Sequence, residues 1–240
     1  MTDALFLAQL SAAVPGSEVV VSGDEGRHAA AAKRMRAGES VLLSDGAGSG
    51  VRGEVTQVTK SSITVRVGEL IEQPAEPLQI VAVQALAKGE RSAIAIEVLT
   101  EMGAAEILAW QASRSVVRWD TKTDKGLAKW RATALAATKQ SRRLRIPDVG
   151  YVSTEDVCSR LAAADLALVL HEDATQELRE VPIPSAGECV VVVGPEGGIS
   201  PAELEAFKAA GSRIVRVSDA VLRTSTAGVV AISQLRALRP

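Results

Sequence analysis

Cys189-Val-Val-Val-Val-Gly-Pro-Glu-Gly-Gly-Ile-Ser-Pro-Ala-Glu203 is the stretch that decides the fold. Four consecutive valines, Val190 to Val193, read as a strand buried on both faces. The strand breaks at Gly194-Pro195-Glu196-Gly197-Gly198. A helix start follows: Ser200 can cap, Pro201 suits the first helical position, and Glu203 stands three residues after the cap. Strand, glycine turn and helix N-terminus, in that order, place free backbone N–H groups at the carboxyl end of a sheet. Open α/β sheets bind ligands there. The turn is not a Walker loop, because no Gly-Lys-Ser/Thr follows, and it does not match the G-x-G-x-x-G dinucleotide fingerprint.

Working outward, strands alternate with helices on both sides of this stretch. Upstream are a strand at 78–86, a helix at 90–102, a strand at 106–110, a long helix at 125–143, a helix at 154–163 and a strand at 166–170. Downstream are a helix at 200–210, a strand at 213–217 and a helix from Thr224, with Thr224 or Ser225 as its cap, to Leu238. The alternation predicts an α/β domain with a parallel sheet. Residues 71–77, Ile-Glu-Gln-Pro-Ala-Glu-Pro, have two prolines and no periodicity, so they read as a linker. Ahead of them, short β-branched runs at 19–21, 40–44, 51–58 and 62–67 are separated by Gly, Asp and Ser. A helix at 28–36 interrupts them, stopped by Gly38. These runs predict a small β-barrel over residues 1–70, with Gly46, Gly48 and Gly50 in a hairpin loop.

The 240 residues are 47% apolar, enough for a substantial core, and no run approaches the roughly 20 apolar residues of a membrane span. Residues 1–10 lack the basic start of a secretory signal. A soluble, cytosolic protein is expected. Cys158 and Cys189 lie far apart in apolar patterns and read as buried thiols. With His28 and His171 the only histidines, a histidine metal site is not expected. Six aromatic residues are too few for the row of stacking rings used by general single-strand binders. Net charge is only −2, but it is unevenly spread. Residues 110–145 hold ten lysines and arginines against two aspartates, and residues 153–188 hold eight acids against two arginines. A polyanion on the basic face is the natural partner.

Three strand ends line up as builders of one pocket: Leu170-His171-Glu172, Gly194 to Gly198, and Val217 to Gly228. Their small residues and single cation, Arg223, suit a neutral or zwitterionic ligand with adenine and amino-acid parts, not a triphosphate. Gly194-Pro195-Glu196-Gly197-Gly198 followed by Leu222-Arg223-Thr224-Ser225-Thr226-Ala227 resembles the SPOUT class of RNA methyltransferases. More narrowly it resembles the bacterial 16S ribosomal RNA uracil-N3 methyltransferase (RsmE) family. His28, Arg34-Met35-Arg36-Ala37-Gly38, Lys88, Arg91, Thr100-Glu101-Met102-Gly103 and Gln140-Ser141-Arg142 also fit that family's pattern, so the resemblance covers nearly the whole chain. Ala4, Val98, Ala136, Ser218-Asp219 and Ser225 depart from it.

The resemblance implies a PUA-like RNA-binding barrel over 1–70 and a methyltransferase domain over 78–240 with a C-terminal trefoil knot. It also implies a homodimer, and methylation of N3 of one uridine in small-subunit ribosomal RNA. S-adenosylmethionine would be held by Leu170, His171, Gly194, Pro195, Glu196, Gly197, Gly198, Val217, Ser218, Val221, Leu222, Arg223, Thr224 and Ala227. Arg223 is the candidate for stabilising the uracil anion, unless it pairs with Asp219 or Glu196. Glu196 is either a base or a carboxylate that fixes the glycine turn, and His171 either a base or a simple hydrogen-bonding group. Arg34, Arg36, Lys88, Arg91, Arg114, Arg142 and Arg143 are the expected RNA contacts. Two rivals remain: a SPOUT enzyme acting on ribose 2′-hydroxyls of ribosomal or transfer RNA, and a non-catalytic RNA-binding assembly factor.

Overall fold

The computed structural model describes residues 3–239, and the chain divides into two compact units. One is 1–75 together with 138–146; the other is 76–137 together with 147–240.

The first unit is a curled five-stranded sheet. Its strands are β1 (Ala4–Leu7), β2 (Glu18–Val21), β3 (Ser40–Ser44), β4 (Ser49–Val58) and β5 (Ile63–Glu72), in the order β1-β3-β4-β5-β2. Among the described residues the sheet is an open half-barrel, because its two edge strands, β1 and β2, do not pair with each other. Alternate residues Val51, Val55, Ile63, Val65 and Val67 point inward onto Phe6, Val41 and Leu43. The 45–48 segment is the β3–β4 hairpin loop, with Gly46 and Gly48 at positive φ; Gly50, expected in the loop, instead lies in β4, paired with Ser44.

The helix expected at 28–36 is displaced. A short α1 (Gly23–Arg27) widens into a π-turn at His28–Ala32, closed by Lys33 N donating to His28 O at 2.9 Å. Arg34, at φ 54°, ends it well before Gly38. Gly26 makes the earlier start possible, since a Cβ there would lie 2.4 Å from Ser61 O.

Residues 138–146 join this unit through specific bonds. Lys139 Nζ donates to both carboxylate oxygens of Glu25 at 2.8 and 2.9 Å, and Leu7 N donates to Glu25 Oε2 at 3.1 Å. Leu144 N donates to Gln73 Oε1 at 2.7 Å, and Ser44 Oγ donates to Leu144 O at 3.0 Å.

The second unit holds β6 (Leu78–Ala85), α2 (Glu90–Glu101), β7 (Glu106–Trp110), most of α3 (Thr123–Ser141) and β8 (Asp148–Val152). There follow α4 (Thr154–Ala163), β9 (Leu166–Leu170), β10 (Gln176–Glu177), β11 (Gly187–Val193), α5 (Pro201–Ala209), β12 (Arg213–Arg216) and α6 (Thr224–Leu238). Among the described residues the sheet has seven strands in the order β10-β12-β9-β11-β6-β7-β8, all parallel. Val191 and Val193 pack into one core with residues of α2, α3 and α6. Val190 and Val192 pack into the other, with Val157 and Leu161 of α4 and Phe207 of α5. The valine run is therefore buried on both faces, and the α/β class read from the sequence is the one observed.

The chain steps outward from β6 to β7 to β8, then crosses to β9 on the far side of β6. Strand β11 fills the gap between β9 and β6. That reversal is the switch point, and because every strand is parallel, the loops after β9, β11 and β12 open on the same sheet edge.

Candidate functional site

The glycine turn after β11 is closed by Gly198 N donating to Pro195 O at 2.9 Å, with Gly198 at φ 74°. Ser200 and Glu203 then form the expected reciprocal cap. Glu203 N donates to Ser200 Oγ at 3.3 Å, and Ser200 N donates to Glu203 Oε2 at 3.0 Å. Glu203 also takes Ser113 N at 2.7 Å and Ser113 Oγ at 2.8 Å, tying the loop after β7 to the start of α5. Burial by itself would raise the pKa of Glu203. The hydrogen bonds from Ser200 and Ser113 outweigh it and hold the carboxyl below its ordinary value. Gly197 packs against this loop: a Cβ there would stand 2.9 Å from Arg114 O.

The third loop is fixed from two directions. Gln234 Nε2 on α6 donates to Val217 O at 2.8 Å. Thr224 Oγ1 donates to Gly194 O at 2.7 Å and accepts Gln84 Nε2 at 3.1 Å, so β6, the glycine turn and the first turn of α6 meet at one hydroxyl. The N-cap of α6 is Arg223, with β-region backbone and no capping side chain, rather than Thr224 or Ser225. The hydroxyl of Thr224 is committed to Gly194 and cannot turn back onto its own helix.

These loops enclose a cavity of about 300 Å³, the low end of the range for small-molecule sites. Of the fourteen residues proposed to hold a cofactor, all but Gly197 line it, together with Arg91 and Arg216. Of its charged residues, Arg91 lies 3.5 Å from Glu196 and Arg216 lies 2.6 Å from Glu177, while Glu172 and Arg223 have no ion-pair partner among the described residues. Lys88 N also donates to Glu196 Oε1, at 3.2 Å, so Glu196 fastens the glycine turn to the loop after β6. Among the described residues, the Arg223 guanidinium pairs with neither Asp219 nor Glu196, and it is exposed at the cavity. His171 Nδ1 accepts Asp173 N at 3.2 Å, a turn-forming bond. Walls in which one cation and one carboxylate lack ion-pair partners among the described residues match a zwitterionic nucleoside better than a polyphosphate.

Of the expected RNA contacts, Arg34, Arg36, Arg142 and Arg143 belong to the first unit and Lys88, Arg91 and Arg114 to the second. Arg34 and Arg142 both have positive φ, at 54° and 56°. Sequence reading missed Gln84 and Ser113. Gln84 left a signal, as an amide inside the apolar run Ile80 to Leu86; Ser113 left none. No helix among the described residues is long and apolar enough to cross a membrane.

The chain matches two family models: an RNA methyltransferase domain over residues 74–236 and an RNA methyltransferase PUA domain over 21–68. It is 46% identical to ribosomal RNA small subunit methyltransferase E of Mycobacterium bovis, over 93% of this chain and 87% of that one. Identity to the Bacillus subtilis protein of the same name is 28%, over 90% of this chain and 88% of that one. A Legionella pneumophila protein solved in complex with the bound cofactor SAM superposes with a TM-score of 0.87 at 28% identity, covering 99% of this chain and 98% of the other. Barrel first, parallel sheet second and a cavity at the switch point agree with these likenesses, and the chain belongs to the ribosomal RNA small subunit methyltransferase E family.

Proposed function

We propose that this protein methylates N3 of one uridine in 16S ribosomal RNA of the small ribosomal subunit, with S-adenosylmethionine as donor. The observation that supports it most is the convergence of three strand-end loops on one cavity in which, among the described residues, only Arg223 and Glu172 keep charges without an ion-pair partner. When bound there, S-adenosylmethionine supplies an electrophilic methyl group on its sulfonium. The chain's own residues do the rest. Gly194, Pro195 and Gly198 offer backbone to the cofactor, and Val217, Leu222 and Ala227 offer apolar wall. N3 of uracil must lose its proton, to solvent, to become a nucleophile, and Arg223 stabilises the negative charge that develops on the ring. Glu196 Oε1 and His171 Nδ1 act as fasteners, because they already hold Lys88 N, Arg91 and Asp173 N.

The exposed arginines and Lys88 contact phosphates, so RNA affinity falls as salt rises. Homodimerisation and the threading of α6 into a trefoil knot, both implied by the family resemblance, are part of the same proposal. The test is nucleoside mass analysis of 16S RNA from a deletion strain, before and after incubation with purified protein and S-adenosylmethionine. A 3-methyluridine that is lost and then restored supports the reading. A methyl group restored to a ribose 2′-hydroxyl, or to nothing, overturns it.

A further inference from the structure

Tyr151, the only tyrosine in the chain, occupies a position that the core does not explain. It lies on the edge strand β8, its ring offset-stacked on the Trp119 indole at 6.1 Å between centroids and 27° between planes. Trp119 in turn meets Trp130 edge-on at 5.3 Å. Trp130 is buried, Trp119 is half-buried and Tyr151 is 37% exposed. The three rings thus climb from core to solvent, each backed by the one beneath. Gly126 on α3 leaves the space for this, since a Cβ there would stand 2.5 Å from the Trp119 ring. The loop carrying Trp119 is also fixed: Trp119 N donates to Gln111 Oε1 at 2.7 Å, and Gln111 Nε2 donates to Asp120 Oδ1 at 3.1 Å. A solvent-facing ring on a rigid support, with little rotamer freedom left to lose, is what a stacking contact needs.

Its place in the sheet relates it to the cavity. Val193, Gln84, Ala109 and Tyr151 form one register row across β11, β6, β7 and β8. Val193 is the last residue before the glycine turn. Three strand spacings of roughly 4.8 Å put Tyr151 about 15 Å from that turn, on the same carboxyl edge. The neighbouring stretch of chain is basic: from Arg114 to Arg131 it has six lysines and arginines against Asp120 and Asp124, with Arg118 3.7 Å from Asp120 and Arg131 donating to Val149 O at 3.0 Å. An aromatic face within a basic stretch suits unpaired nucleic acid, whose bases stack while its phosphates pair with the cations. The scarcity of aromatic rings excludes a row of stacked bases but leaves room for one.

We propose that Tyr151, backed by Trp119, is a stacking subsite for a single unpaired nucleobase of the RNA substrate, a few nucleotides from the base that enters the cavity. The basic loop holds the phosphates on either side. The inference rests on the reading of the cavity as an RNA-modifying site.

Binding of a fluorescein-labelled oligouridylate of about ten nucleotides, an ordinary site size, tests it in the full chain by anisotropy. Tyr151→Leu should weaken binding about tenfold without changing the slope of affinity against salt. Tyr151→Phe should bind within twofold of wild type, and Arg118→Gln should lower the salt slope by about one. All variants should keep their melting temperature and their affinity for S-adenosylmethionine. Because Tyr151 is the only tyrosine, its nitration by tetranitromethane gives a readout without mutation, and bound RNA should protect it. A Tyr151→Leu variant that binds like wild type, or nitration indifferent to RNA, overturns the subsite. If instead no methyl transfer is found while binding still depends on Tyr151, the cavity reading falls and the subsite stands.

Discussion

Thr224 Oγ1 donates to the Gly194 carbonyl at 2.7 Å across thirty residues of sequence, while Gln84 Nε2 donates to the same hydroxyl at 3.1 Å. Thr224 and Gln84 are both buried. The hydroxyl therefore sets the distance between the glycine turn and the start of α6, two walls of the cavity.

Replacing Thr224 with Val keeps the shape but leaves the Gly194 carbonyl and the Gln84 amide without this partner. The expected loss is about 1–3 kcal/mol of stability, together with a roughly tenfold or larger loss in S-adenosylmethionine affinity. Thr224→Ser, which keeps the hydroxyl, should lose much less of either. Calorimetric titration and thermal melts of the two variants check this. Equal affinity in both would show that the hydroxyl does not shape the cavity.

Arg223 is exposed at the cavity without an ion-pair partner among the described residues. Removing it should therefore cost little in folding. If it stabilises the uracil anion, Arg223→Ala should lower kcat by about 10²–10³-fold and change cofactor affinity by only a few-fold. Single-turnover methylation with saturating RNA separates the two effects. A loss confined to cofactor binding would assign Arg223 to the cofactor instead.

Glu203 links stability to pH. Its folded pKa lies below that of an ordinary glutamate, held down by the hydrogen bonds from Ser200 and Ser113, so the charged form favours the folded state. That contribution is present above the unfolded pKa and is lost as pH falls through the lower, folded value. Glu203→Gln should lower stability at neutral pH by about 1–2 kcal/mol, a few degrees in Tm. The gap to wild type should narrow as the pH is taken below about 4.5. Melts across that range are the measurement, and a gap independent of pH would mean that the charge of Glu203 is irrelevant.

The two thiols should react differently. Burial pushes Cys189 up to about 12, and it lies within β11 at the centre of the sheet. Burial also raises Cys158 on α4, which is only partly covered. Iodoacetamide at pH 8 should alkylate the native protein slowly at Cys158 and leave Cys189 untouched, with both modified in denaturant. Peptide mass mapping reads this directly.

Much of the architecture was legible one segment at a time. β3, β7, α4, β9 and α6 fall where composition places them, because a cap, a valine run or a glycine stop acts within about four residues. Besides the two-residue β10, two strands were not legible. β1, at Ala4–Leu7, is short and is held by parallel pairing to β3. β8 is an edge strand carrying Gly150 against Leu108, where a Cβ would come within 3.0 Å. Neither has a local pattern strong enough to stand without its partner.

The sequence by itself determined the alternation of strands and helices, the two-sided burial of Val190 to Val193, the capped start of α5 and the three loops that make a ligand site. Only the tertiary structure decided that Lys139 completes the first unit through Glu25, 114 residues away in the chain, that Thr224 bonds to Gly194 instead of capping its helix, and that Tyr151 rests on Trp119. Local propensity depends on neighbours along the chain. A hydrogen-bond or stacking partner depends on where the crossover from β8 to β9 carries the chain, and no window of sequence contains that.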